Sequence, residues 1–455
     1  MNLVNKMPGV VNPKSRLNFK DRLKWTVLVL VLFFLMGETP LIGVAQQSYD
    51  YFKNISVLLG SEFGTLGTLG IGPIVTASIL LQVLVGAKIL GWDLSKREGR
   101  VKFQGTQKML AIAFCFLEGF AYVMFGAVQA EVPSMVLFVG LQIAAGGLII
   151  LFLDEVSTKW GLGPGVSLFI AAGVSKVIFV RMLSVVPSGE YFAGAIPSLL
   201  ASLPVGRIDL AAFYLTAILA TVLIFALSLF AQSIKVEIPL AFSQVRGFGR
   251  RWPLNLFYTS NMPVILASAF LINISLFGSI LDNQGITSIL GTYDDTTGQP
   301  ISGLGYYLSA PHNLLPTVMS GLVSGAEIPT AEFVRAITYT IFLTALCVVF
   351  AFFWVETTNM GPEPVADQIT SVGMQIPGFR KDKRILVGIL SKYIYPLTIM
   401  GAIAVGLLAA IADLTGAFGT GTGILLTVMI LYNFYERIGQ QYAEDMNPAV
   451  RKFFE

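Results

Sequence analysis

Ten stretches of this chain are apolar enough and long enough to cross a bilayer, which takes about 20 residues of helix. They lie near 25–45, 68–90, 109–129, 134–153, 165–185, 210–232, 256–280, 332–354, 393–412 and 421–437. Lipid leaves a spanning segment few ways to satisfy its backbone polar groups, and helix is the one such stretches suit. The expected class is therefore all-α, a polytopic membrane protein with ten transmembrane helices. Only 13% of the 455 residues are charged, against roughly 25% in soluble domains. The first stretch does not read as a cleavable signal peptide, because it contains Glu38 and Pro40 and lacks a small-residue cleavage site. Cys115 and Cys347 both fall inside spans, which leaves no disulfide framework and no cysteine metal site. No cofactor and no metal are expected.

Charge sets the expected orientation. With the N-terminus inside and the spans alternating, 25 of the 30 Lys and Arg residues fall in cytoplasmic segments. The positive-inside rule then places both termini in the cytoplasm. The exceptions are Lys53, Lys176, Arg181, Arg207 and Arg335. The longest outer loop, 282–330, has no basic residue.

The run from Gly64 to Gln82 begins like a loop, with glycines at 64, 67, 70 and 72, and becomes an apolar helix at Pro73. Upstream, Ile55 to Phe63 is apolar but too short to span, and it is broken by Gly60 and Glu62. A short piece hinged by glycine onto a spanning helix reads as re-entrant. Such backbone is tolerated at membrane depth only beside protein or a water-filled cavity.

Two internal echoes suggest a repeat. Gly161-Leu-Gly-Pro-Gly165-Val166-Ser-Leu168 opens span five, and Gly419-Thr-Gly-Thr-Gly423-Ile424-Leu-Leu426 opens span ten. Span two, Pro73-x-Val75-x-Ala77-Ser78-x-x-Leu81, matches span seven, Pro263-x-Ile265-x-Ala267-Ser268-x-x-Leu271. Two halves of five spans each must lie in opposite orientations, with the working site at their interface near the midplane. The expected division is a cytoplasmic segment 1–24, a first half 25–185, an outer linker 186–209, a second half 210–437 with cytoplasmic loops 233–255 and 355–392, and a tail 438–455. Ile71, Val75, Val166, Ile170, Ile265 and Leu426 are the facing positions on spans two, five, seven and ten. They read either as plain helix core or as an apolar constriction that blocks ions by dewetting.

Other motifs weigh less. The G-x-G-x-G pieces lack the strand and acid of a dinucleotide site, so close helix approach explains them better. His312, the one histidine, has no nucleophile or orienting partner about it. Glu38, Glu118, Lys176 and Arg181 are the ionisable residues within spans. They read as functional groups by default, or as internal ion pairs and polar helix contacts. Arg246, Arg250 and Arg251 in one inner loop and Arg380, Lys381, Lys383 and Arg384 in the next serve topology, or bind a large polyanionic partner such as ribosomal RNA, or an acidic protein.

Several longer motifs carry a resemblance. They are Thr68-Leu-Gly-Ile-Gly-Pro-Ile-Val-Thr-Ala77, Gly165-Val-Ser-Leu-Phe-Ile-Ala-Ala-Gly173, Val236-Glu-Ile-Pro-Leu240, Ser260-Asn-Met-Pro-Val-Ile265, Phe353-Trp-Val-Glu-Thr357 and Gly421-Thr-Gly-Ile-Leu-Leu-Thr427. Through them nearly the whole chain resembles the SecY family, the large subunit of the protein-conducting channel, in its archaeal branch. The resemblance implies an hourglass pore that passes unfolded polypeptide and releases apolar segments into the lipid bilayer. Its pore ring falls on the six apolar positions above. Its plug falls on Asn54, Ile55, Ser56, Val57, Leu58, Leu59, Gly60, Ser61, Glu62, Phe63 and Gly64. Its lateral gate falls between spans two and three and spans seven and eight, with Thr76 and Asn261 at the seam. The loops with Arg246, Arg250, Arg251, Arg380, Lys381, Lys383 and Arg384 resemble those that dock the ribosome. Implied partners are SecE/gamma-like and beta small subunits and substrates bearing signal sequences. The implied place is the cell membrane, and no enzyme activity is implied. The competing class is a secondary transporter of small solutes, which would need polar ligands at the midplane.

Overall fold

The computed structural model describes residues 9–445 apart from 16, 45–63, 87–88, 93, 95, 125–127, 189–190, 243–248, 257–258, 260–261, 284, 287, 295–298, 312–313, 326–329, 372–373, 376–382 and 419–420. Ten helices follow in order as spans one to ten: Phe19–Glu38, Gly72–Gly86, Arg97–Met124, Val136–Trp160, Gly165–Leu183, Ile208–Ser233, Met262–Asn283, Thr330–Thr357, Lys383–Leu414 and Gly421–Asp445. Among the described residues, spans three to nine are the seven long and apolar enough to cross a membrane. Spans one and ten carry charged residues near their ends, and span two is a 15-residue apolar helix.

Span two is shorter than its apolar stretch because the backbone before it turns instead of winding. Gly70 has φ 51°, which a residue with Cβ adopts with difficulty. Span three begins earlier than its apolar stretch, at Arg97, since polar residues continue the helix past the lipid-length segment.

Among the described residues, the pairings between loops join loops on the same side. Pro40 bridges Thr65 and Val44 bridges Ala130, joining the loops after spans one and three. The Val10 N–H donates to Glu155 Oε2 at 2.9 Å and the Trp160 indole donates to the Val11 carbonyl at 2.8 Å. Those bonds tie the N-terminal segment to the end of span four. Asn359 Nδ2 donates to the Leu94 carbonyl at 2.8 Å, joining the loops after spans two and eight. Each pairing links segments an even number of spans apart, as alternating spans require.

The basic loop 233–255 is not irregular. Lys235–Phe242 pairs antiparallel with Gly249–Asn255, and Met374–Gln375 from the next basic loop adds a third strand. On the opposite side, two short helices, Gly303–Leu308 and Leu314–Ser324, fill the long loop. Arg335, a basic residue on the poorly basic side, is pinned there. Its guanidinium donates to the Ser309 carbonyl (3.0 Å) and hydroxyl (2.7 Å) and lies 4.5 Å from the Tyr306 ring.

The largest apolar core draws on both halves, from Val29 and Phe33 of span one to Leu425 of span ten. Phe33 and Phe169 stack at 4.5 Å, fastening span one to span five. At Gly146 of span four a Cβ would sit 1.9 Å from the Leu66 carbonyl oxygen. The turn-rich segment before span two therefore rests directly on span four. Gly146→Ala is expected to destabilise the fold by about 1–3 kcal/mol, the usual range for overpacking. Thermal unfolding in detergent checks this, and an unchanged midpoint would contradict the close contact.

Candidate functional site

The two sets of five spans meet along two seams. At one, span two packs on spans seven and eight; at the other, span ten packs on spans five and one. Between the seams lies a cavity of about 30 Å³. That volume is enough to hold a water, which needs at least roughly 10–15 Å³.

Ile71, Val75, Ile170, Ile265 and Leu426 all line the cavity. Their exposures are 3%, 7%, 3%, 5% and 1%. Val166, the sixth facing position, is half-buried and packs against the same apolar cluster. The spacing explains the convergence. Ile71 and Val75, like Val166 and Ile170, are four residues apart and so share one helix face. The repeats bring four such faces to one level.

The cavity continues along the first seam, where its lining turns polar. Thr76 of span two, Glu118 and Tyr122 of span three, and Asn273 of span seven face it. The Thr76 and Glu118 side chains are hydrogen-bonded to each other. Gln107 Nε2 donates to Ser78 Oγ at 2.6 Å, a second bond between spans two and three. Spans two and three are thus joined by side-chain hydrogen bonds, and Asn273 faces them from span seven. Asn261, the other residue expected at this seam, lies outside the described residues. Asn273 was absent from the sequence expectation, although an Asn in mid-span is a usable signal.

The remaining expected residues are placed as follows. Asn54 to Phe63 lie outside the described residues; Gly64 is described, with φ 81° and its carbonyl accepting the Leu41 N–H at 2.9 Å. Arg246, Arg380 and Lys381 also lie outside them. Arg250 and Arg251 stand on the second hairpin strand, opposite Leu240 and Pro239. Lys383 pairs with Asp367 at 2.7 Å at the start of span nine, next to Arg384. Among the charges inside spans, Lys176 and Glu38 form an ion pair at 2.6 Å, which no local spacing foretold.

The glycines before span five serve contact. A Cβ on Gly163 would meet the Phe434 ring of span ten at 2.8 Å, and one on Gly165 would meet the Asp154 backbone at 2.5 Å. Close approach, not phosphate, accounts for that motif. Among the described residues no group of three or more His, Cys, Asp or Glu is placed to hold a metal.

Comparison with known proteins agrees with this arrangement. Residues 65–435 match the SecY family, and residues 31–64 match the family described as the plug domain of Sec61p. The protein translocase subunit SecY of Methanothermobacter thermautotrophicus is 42% identical, over 99% of this chain and 97% of its own. That of Methanocaldococcus jannaschii is 42% identical, over 99% and 98%. A solved protein-conducting channel superposes with a TM-score of 0.84 at 40% identity, covering 99% of both chains. Sec61 from the canine ribosome-channel complex of the endoplasmic reticulum gives 0.81 at 40% identity, with 99% of both chains covered. With a family match over most of its length and relatives this similar end to end, the chain belongs to the SecY family.

Proposed function

We propose that this chain is the central subunit of a protein translocation channel, conducting unfolded polypeptide across the membrane and releasing hydrophobic segments sideways into lipid. The observation that carries the reading is the meeting of Ile71, Val75, Ile170, Ile265 and Leu426, from four spans of both halves, around a cavity far too small for a polypeptide. An apolar constriction of this kind excludes ions by dewetting yet holds no hydrogen bonds that a passing chain must break. A solute transporter needs polar ligands at this level, and the level here is apolar.

The remaining assignments extend that reading. Asn54 to Gly64 form the plug that closes the outer funnel. The seam of spans two and three against spans seven and eight is the lateral gate, with Thr76, Glu118 and Asn273 at its polar part. Both termini and the basic loops face the cytoplasm, across the cell membrane. Arg246, Arg250, Arg251, Arg380, Lys381 and Arg384 dock the ribosome through rRNA phosphates; Lys383 contributes less, being already paired with Asp367. Small SecE/gamma-like and beta subunits complete the complex. The chain makes and breaks no covalent bond, so the driving force comes from a partner.

Three outcomes follow. Replacing Ile71 and Ile170 together with serine puts hydroxyls where no water was stable, and the closed channel should then leak ions in planar bilayers. An unchanged baseline would move the seal elsewhere. Thr76→Val removes one hydrogen bond across spans two and three, worth about 1 kcal/mol. Spans two and three, one wall of the gate, should then separate about fivefold more often, read as slower disulfide formation between cysteines placed on those two spans. Arg250→Glu with Arg380→Glu should leave insertion intact, lower ribosome affinity, and flatten its dependence on salt. Co-sedimentation across a salt series decides it, and a parental slope would reduce both arginines to topology signals.

A further inference from the structure

Spans five and ten, which carry Val166, Ile170 and Leu426, each begin on a carboxylate from the span before. Asp154, near the end of span four, accepts the Val166 N–H at 2.8 Å and also the Gly165 N–H. Asp413, near the end of span nine, accepts the Thr422 N–H at 2.8 Å and also the Thr422 hydroxyl. Tyr339 of span eight donates its hydroxyl to the same Asp413 at 2.7 Å. Asp413 is 4% exposed.

A second contact recurs beside each carboxylate. The Thr26 hydroxyl of span one donates to the Arg22 carbonyl (2.9 Å) and accepts the Leu162 N–H (3.0 Å) just before span five. The Thr221 hydroxyl of span six donates to the Ala217 carbonyl (2.8 Å) and accepts the Phe418 N–H (3.1 Å) just before span ten. The residues around these threonines match too: Thr26-Val27-Leu28-Val29 and Thr221-Val222-Leu223-Ile224. Spans five and ten start on opposite sides, so the same two-point clamp is built twice, inverted.

The geometry points to Asp154 and Asp413, seconded by Thr26 and Thr221, as positioning residues that hold the starts of spans five and ten at fixed depth and so keep Val166, Ile170 and Leu426 level with the ring. This rests on the reading of those residues as the seal. A carboxylate on a helix N-terminus satisfies N–H groups and complements the helix dipole. In a membrane the alternative is an unpaired N–H, so each clamp resists sliding along the helix axis. Val166 is itself a donor in the bond, which couples the clamp to a ring residue directly. The seam of spans five and ten is then the fixed jamb, and the seam of spans two and seven the side that parts.

The test is closed-state conductance of the full chain, purified with its co-purifying subunits and reconstituted in planar bilayers. Asp154→Ala and Asp413→Ala should each raise the closed-state leak about fivefold, the scale of a lost N-cap. Asn keeps a side-chain oxygen to accept the N–H, so Asp154→Asn and Asp413→Asn should restore tightness. Leu390→Ala, which loses core packing near the start of span nine and touches neither clamp nor ring, should stay tight. Tight alanine variants beside a leaking Ile71→Ser/Ile170→Ser channel would overturn the proposal and leave the ring reading standing. A tight serine channel would instead sink the ring reading. A Leu390→Ala leak equal to that of the aspartate variants would also overturn the proposal. Should an alanine variant not purify as a monodisperse complex, Thr26→Val and Thr221→Val carry the same expectation, and tightness there overturns it.

Discussion

A backbone N–H left unpaired in hydrocarbon costs several kcal/mol, and the architecture follows from where those donors go. Helices that start at the membrane surface find water; spans two, five and ten start against protein. Carboxylates receive the N–H groups of spans five and ten, as described. The segment leading into span two is held by the end of span one and the residue after it: Gly67 donates to the Met36 carbonyl at 3.2 Å and Leu66 to the Thr39 carbonyl at 2.9 Å. These bonds need close backbone contact, and glycine is the residue that permits it, as at Gly146 and Gly165. Once the helix starts are placed, residues within about a turn and a half of them reach the same level. Ile71, Val166 and Leu426 are such residues.

The centre and the seam use different physics. As the proposed seal, the ring holds by dispersion and by the absence of water, neither of which has direction, so contact can be lost and regained without a donor and acceptor finding each other again. Thr76, Glu118 and Asn273 stand where direction is useful, at the edge between the halves.

Much of this was legible in the residues. The apolar stretches locate the ten helices because length and hydropathy are local properties. The ring positions are legible because the glycine signatures repeat, which converts a long-range relation into a visible echo. The hairpin was hidden. Pro239, Pro253 and several glycines signal turns, and they outweighed the alternation of Val236, Ile238 and Leu240 that marks a strand. Asp154 and Asp413 escaped notice for another reason: they lie near helix ends, where a charge looks ordinary, and only the fold shows each one facing the next helix start. The Glu38–Lys176 pair joins residues 138 positions apart, a separation over which no spacing rule operates.

The three-stranded sheet has a mechanical consequence. Its strands leave span six, enter span seven, and lie between spans eight and nine. Backbone hydrogen bonds joining Lys235–Phe242 to Gly249–Asn255 and to Met374–Gln375 make these three strands a single stiff tab. A load applied on that tab is shared among four helices, all in the second half, and reaches the first half through helix packing and the Asn359–Leu94 hydrogen bond. A large body seated there grips one half of the molecule as by a handle. Torque about the fixed seam is then the motion it can most readily impart.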